Sequence, residues 1–213
     1  MMQDISHLYA RAGFGWHPQL LARPPRNTDE AVDALFTAAD AAPPLAVVMP
    51  DLSQLTDPQE RQRLLRELLG GQSLDWIKRM ADPAESALLE RVSLFWHGHF
   101  ACRILAGPLA AQYLNTIRSH ALGSFRELCL GIARTPAMIR FLNNQQNRKD
   151  SPNENFAREL MELFTIGRGH YSETDIKEAA RAFTGWSSNQ RGEFVFRRGQ
   201  HDFGEKTFFG RTG

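Results

Sequence analysis

The stretch Ser151–Trp186, SPNENFARELMELFTIGRGHYSETDIKEAARAFTGW, constrains the fold most, because it writes out the start and stop of two consecutive helices. Ser151 is a good N-cap, Pro152 suits the first helical position, and Glu154 stands where a capping box needs an acid. Phe156, Leu160, Leu163 and Phe164 recur at i, i+4, i+7 and i+8 and share one apolar stripe. Gly167 supplies the stop. Ser172 with Asp175 starts a second helix, in which Ile176, Ala179, Ala180 and Phe183 form the stripe and Gly185 the end. The connection Gly167–Tyr171 is short, which predicts antiparallel neighbours, an αα-hairpin.

The first helix carries the chemistry. At about 100° per residue, Glu154, Asn155, Arg158, Glu159, Glu162 and Thr165 all face away from its apolar stripe. Two readings stand. In one, Glu154–Arg158 and Arg158–Glu162 are i, i+4 pairs on a solvated face, each contributing about 0.2–0.5 kcal/mol. In the other, Asn155, Glu159 and Glu162 offer oxygen ligands on one strip, with His170 in the following loop, a donor set suited to Zn, Mn or Fe. The loop lacks the alternating acids and terminal Glu of an EF-hand.

Upstream the chain reads as helical scaffold. Gly13-Phe14-Gly15 reads as a tight turn with Phe14 buried, and not as a nucleotide loop, since no strand precedes it. Thr28 reads as the N-cap of a helix with Val32, Leu35 and Phe36 inward. Residues 41–57 are Pro-rich and read as a long irregular connection. Helices over Pro58–Leu69 and Ser73–Met80 are expected to break at Gly70-Gly71. Asp82-Pro83-Ala84-Glu85 is another start signal, before a helix with Leu88, Val92 and Phe95 as its stripe.

That helix holds His97 and His99. If it stays intact, His99 falls on the apolar stripe, and His97 falls nearly opposite, beside Glu90. The two can share one metal only if Gly98 breaks the helix into an extended segment. The plainer reading makes His99 a core histidine bonded to a backbone carbonyl, and His97 an imidazole bonded to Glu90. Further on, Pro108–Ser119 places Leu109, Tyr113 and Ile117 inward. Ser124 and Glu127 form a capping box, followed inward by Phe125, Leu128, Cys129 and Ile132, and Thr135-Pro136 starts a short helix through Met138, Ile139 and Leu142. Asn143–Asp150 is wholly polar and is expected to be exposed or to line a cleft. Glu193–Arg197 and Lys206–Phe209 are β-prone runs, read as a hairpin over residues 193–209 whose loop carries His201-Asp202.

At 213 residues and 42% hydrophobic content, the chain needs no staples to fold, and it reads as one helical domain over 1–213. A formal net charge of +1 argues against a dedicated nucleic-acid or membrane-surface protein. The two cysteines cannot build a disulfide framework and read as free thiols. No apolar run spans a bilayer and no signal-peptide core opens the chain, so it reads as cytoplasmic as given, or exported if a leader was removed.

In order, RAGFG, ERVSLFWHGHF, HALGSFREL, PAMIRFL, the NENFARELMELFTIGRGHYSETD run and a closing HD-G-KT-FG pattern resemble the bacterial family catalogued as domain of unknown function 1800, over Leu8–Gly213. The resemblance implies a largely helical protein, often exported, often encoded beside a sulfatase-like or phosphatase-like companion, with no established reaction. Its motif residues fall here on Glu90, His97, His99, Asn153, Glu154, Asn155, Arg158, Glu159, Glu162, Tyr171, Glu173, Arg181, His201 and Asp202. Two departures stand out: Asn143 occupies a position usually held by Asp, and the chain stops at Gly213 in mid-pattern, which implies a shortened form.

The expected fold is mainly α, an orthogonal multi-helix array with a small C-terminal β-hairpin. The first functional expectation is a metal-assisted hydrolase. In it His97, Glu159 and Glu162 bind a divalent Zn, Mn or Fe ion. Glu154 or Glu90 is the supporting or general-base carboxylate, and Arg158 takes an anionic substrate group. His99, His170, His201 and Asp202 are reserve ligands. The alternative is a non-catalytic helical module that binds or matures the companion enzyme, its polar residues locked in buried ion pairs such as Arg158 with Glu90. The first needs carboxylates and imidazoles converging on an open cleft; the second needs them matched to arginines.

Overall fold

The computed structural model describes residues 2–48, 50–82, 85–104, 107–189 and 191–213, and the fold is mainly α. The chain parts into two compact units, Met1–Gly98 with Leu105–Leu128, and His99–Ile104 with Cys129–Gly213. No described helix is long and apolar enough to cross a membrane.

The first unit is built from α1 (Met2–Ala12), α2 (Pro18–Ala22), α3 (Thr28–Ala41), α4 (Pro58–Ala81), α5 (Ala87–His99, without its last residue), α6 (Gly107–His120) and the start of α7 (Phe125–Ala133). Ile5, Tyr9, Ala31, Leu35 and Leu88 form one core cluster, and Leu45, Trp76 and Leu114 another. As expected, Leu109, Tyr113 and Ile117 of α6 are buried, and residues 42–57 carry no regular element among those described.

Five local expectations are corrected here. Asn27, rather than Thr28, caps α3, its Oδ1 accepting from the Glu30 amide at 2.8 Å. On that helix Ala31, Leu35 and Ala39 face inward while Phe36 is exposed. Phe14 is not buried; it lies exposed beneath the Arg91 guanidinium, 5.6 Å from the ring centroid. The expected break at Gly70-Gly71 does not occur, and α4 runs through it as a single 24-residue helix. Tertiary packing overrides the propensity: Gly107 of α6 lies so close to Leu68 that an added Cβ would come within 2.9 Å of its backbone. The start signal at Asp82 is displaced: α5 begins at Ala87, with Ser86 Oγ accepting from the Leu89 amide at 3.2 Å. Pro83 and Ala84 lie outside the described residues.

The second unit takes the rest of α7, then α8 (Pro136–Phe141), a 3-10 turn (Asn144–Gln146), α9 (Asn155–Glu159) and α10 (Glu173–Ala182). Thr135 caps α8 as expected, Oγ1 accepting from the Met138 amide at 3.3 Å. α9 begins at Asn155 and not after Ser151, because Asn147 Oδ1 holds the Asn153 amide at 2.9 Å and keeps the preceding residues irregular. From Leu160 to Thr165 the helix widens into a π-helix. The extra residue in that turn brings Met161 and Phe164 inside and leaves Leu163 exposed, which a 3.6-residue period does not foresee. Gly167 ends the element with φ +81°. The capping box of Ser172 and Asp175 opens α10 as expected.

The C-terminal β structure is present but divided differently. Phe194–Phe196 (β2) pairs antiparallel with Trp186–Ser188 (β1), and Thr207–Phe208 (β3) pairs with Arg211–Thr212 (β4). Thus the two β-prone runs do not pair with each other. Gly185, at φ +80°, leads into β1 where a Cβ would stand 2.7 Å from the Arg197 carbonyl oxygen, so only glycine fits.

Candidate functional site

The polar motif residues fall into separate clusters, each centred on an arginine. In the first unit Glu90 of α5 is fully buried. Its Oε1 accepts from Arg118 Nε at 3.0 Å and Nη2 at 2.8 Å, and its Oε2 from Trp76 Nε1 at 2.6 Å. Arg118 Nη1 donates onward to the Pro43 carbonyl at 2.8 Å. The carboxylate therefore ties α4, α5, α6 and the irregular 42–57 connection together, with its hydrogen-bonding capacity directed into the protein. His97 is not bonded to Glu90. It stacks edge-on against Trp76 at 5.4 Å and faces Tyr113 at 6.3 Å, and burial pushes its pKa below the ordinary histidine value.

In the second unit α9 and α10 are joined across their faces. Arg158 reaches Glu173 through Nη1 at 2.9 Å and Nη2 at 2.7 Å, and Glu154 through Nη2 at 3.1 Å. The Glu173 and Glu154 carboxylates raise the Arg158 pKa, and Glu173 is in turn held below its ordinary value. The expected Arg158–Glu90 pair is thus not formed; each group has other partners, because Arg118 already fills the Glu90 carboxylate. Glu162 accepts from the Tyr171 hydroxyl at 2.7 Å and from Arg168 Nε, and both lower its pKa, the tyrosine more. Glu159, at the end of α9, is half-buried and takes part in no hydrogen bond or ion pair among the described residues. His170 is exposed.

Arg181 of α10 binds Glu178 at 2.8 and 2.9 Å and Asp202 Oδ2 at 2.7 Å. Arg181 and the Gly204 amide lower the Asp202 pKa to about 2. Asp202 therefore does not orient its neighbour His201. Thr184 does, its carbonyl accepting from His201 Nδ1 at 2.7 Å while the ring packs against Phe196 and Phe203. His99 Nε2 meets the Phe164 carbonyl at 3.0 Å, the plainer of its two readings.

The structure thus brings Glu154, Arg158 and Glu173 together, and Arg181 with Asp202. Of the expected ligands, His97 belongs to the first unit, and Glu159 and Glu162 to the second. Among the described residues no group of three or more His, Cys, Asp or Glu is gathered to hold a metal ion.

Sequence reasoning missed Asn144 and Asn147, which are buried rather than exposed. Asn144 Nδ2 donates to the carbonyls of Phe183 at 3.2 Å and Trp186 at 3.3 Å. Asn147 Nδ2 donates to Asn144 Oδ1 at 3.1 Å and the Ala180 carbonyl at 2.8 Å. Asn155 Nδ2 reaches the Leu142 carbonyl at 3.1 Å. These amides satisfy carbonyls at the ends of α8 and α10 and the start of β1, so polar side chains become core. The signal was the asparagine-rich run itself, since asparagine bonds backbone groups and tolerates φ > 0, as Asn143 does at φ 59°.

The second unit also carries an apolar recess of about 420 Å³, walled by residues including Cys129, Ala133, Leu160, Ile166, Phe183 and Phe209. The π-helix forms one side of it. Burial raises the Cys129 pKa, and that of Cys102 to about 12, so both thiols stay protonated at neutral pH.

The family described as "Protein of unknown function (DUF1800)" matches residues 7–213, and the chain belongs to that family. No curated protein and no solved structure matches the chain.

Proposed function

We propose that this family member is a non-catalytic helical module that binds a companion protein, its motif residues serving as structural ion pairs. The observation that carries the reading is the pairing of motif acids with arginines: Glu90 with Arg118, Glu154 and Glu173 with Arg158, Glu162 with Arg168, and Asp202 with Arg181. A carboxylate bonded to a guanidinium is a poor general base and a poor metal ligand, since its lone pairs are occupied and its basicity is lowered. The apolar recess of the second unit adds the kind of pocket in which an interface anchor residue sits. The resemblance suggests a sulfatase-like or phosphatase-like partner.

Glu159 favours the second reading, a metal-assisted hydrolase, because its half-buried carboxylate has no partner among the described residues. Co-expression with a sulfatase-like or phosphatase-like protein of the kind the resemblance implies, followed by size-exclusion chromatography, separates the two. The module reading predicts a stable complex, lost on Leu160→Arg at the recess. Ester hydrolysis by the chain alone, abolished by Glu159→Ala in a protein that still folds, would overturn it in favour of the hydrolase.

A further inference from the structure

One recess contains arginines that the chain does not neutralise. Arg140, Arg148 and Arg197 line it, with Gln145, Ser187 and Asn189, and its volume is about 640 Å³. The three arginines come from α8, from the turn before Ser151 and from the residue after β2, so the fold and not the local sequence gathers them. None of the three takes part in an ion pair among the described residues, in a chain where Arg118, Arg158, Arg168 and Arg181 are all matched by carboxylates. No acid lines the recess among the described residues; Glu193 accepts from Asn189 Nδ2 at 2.8 Å outside the lining.

The wall is held in place before any ligand arrives. Arg140 donates from Nε to Ser188 Oγ at 2.9 Å and from Nη2 to the Asn189 carbonyl at 2.8 Å, which leaves Nη1 unused among the described residues. Beneath it, Asn144 and Asn147 bolt the 144–147 turn to the end of α10 and the start of β1. Two polar atoms of the lining, Ser187 Oγ and Gln145 Oε1, are buried without a partner, which is uncommon in a settled structure. Guanidinium groups present paired N–H donors whose geometry matches tetrahedral oxyanions.

We propose that this recess binds the phosphate or sulfate group of a small anionic ligand, held by Arg140, Arg148 and Arg197. The inference is independent of the binding-module reading: the site stands whether or not the chain is an enzyme or has a protein partner.

Isothermal titration of the full chain at constant ionic strength tests it. The probes are inorganic phosphate, inorganic sulfate, phenyl phosphate and phenyl sulfate, with chloride as the reference anion. The expected result is saturable one-to-one binding of at least one of the four. Arg148→Gln and Arg197→Gln each weaken it about fivefold, and the double variant about twentyfold, as loss of charge-assisted hydrogen bonds in a partly open site predicts. Arg63→Gln removes the same charge from an exposed i, i+4 pair and leaves the affinity unchanged. Tighter binding of an ester than of its inorganic ion assigns the ligand as an ester, and the reverse assigns the free ion; phosphate against sulfate is read the same way. Both arginine variants change exposed side chains, and thermal melts matching the wild type verify their folds. No saturable binding of any probe overturns the proposal. So does binding that survives the double variant.

Discussion

At the residue scale, the buried Glu90–Arg118 pair is the most consequential contact. Both side chains are almost wholly enclosed, and each also satisfies a third group. Glu90→Ala strands a buried guanidinium and Arg118→Ala a buried carboxylate, so each variant is expected to lose about 3–5 kcal/mol in urea unfolding. The double variant is expected to lose less than the sum, because neither charge is then left alone. The Arg181–Asp202 contact predicts a pH effect. With the Asp202 pKa lowered to about 2, its stabilisation is complete above pH ~4, where the unfolded carboxyl is ionised, and disappears as pH falls toward 2. Thermal melts across that window should fall more steeply for the wild type than for Asp202→Asn. Asn143 shows a different residue-scale constraint. At φ 59°, Asn143→Gly should change stability by less than about 0.5 kcal/mol, whereas Asn143→Val should cost about 1–2 kcal/mol.

At the element scale, helices with complete start and stop signals were legible, and those decided by distant packing were not. The Ser172–Asp175 capping box, the Thr135 cap and the Gly167 stop all act locally, so neighbouring residues suffice to read them. α9 starts late because Asn147, outside the helix, holds Asn153, and no local rule contains that bond. The wheel through Glu154 and Glu162 failed at Leu160, where the helix changes pitch, so Leu163 was placed inside and lies outside. α4 is the opposite case: two glycines promised a break, and packing against α6 kept the helix whole. Neither glycine has a neighbouring atom where a Cβ would go, so Gly70→Ala and Gly71→Ala should each stabilise by about 0.5–1 kcal/mol in thermal or urea unfolding.

At the scale of the whole molecule, a formal charge of +1 conceals a definite distribution. The motif acids are matched to arginines one cluster at a time, and the three arginines gathered at the 640 Å³ recess are among those that no carboxylate pairs with among the described residues. The helical class was readable from spacing and caps, and the motif residues from the family resemblance. The Glu154–Arg158 pair, four residues apart, was readable; the distant pairs were not, since Arg118 lies 28 positions from Glu90 and Asp202 lies 21 from Arg181. Spacing along a helix brings together only near neighbours, so Asn155, Glu159 and Glu162 read as one strip, whereas Asn155 bonds the Leu142 carbonyl and Glu162 bonds Tyr171 and Arg168.

The central claim is that these carboxylates and imidazoles serve structure and not a metal centre. Elemental analysis of the untagged chain, purified without chelator, tests it most directly, repeated on Glu159→Ala, Glu162→Ala and His97→Ala. The account predicts folded protein with far less than one transition metal per chain, unchanged in the three variants. Near-stoichiometric Zn, Mn or Fe in the wild type, lost in all three variants while they remain folded, would contradict it.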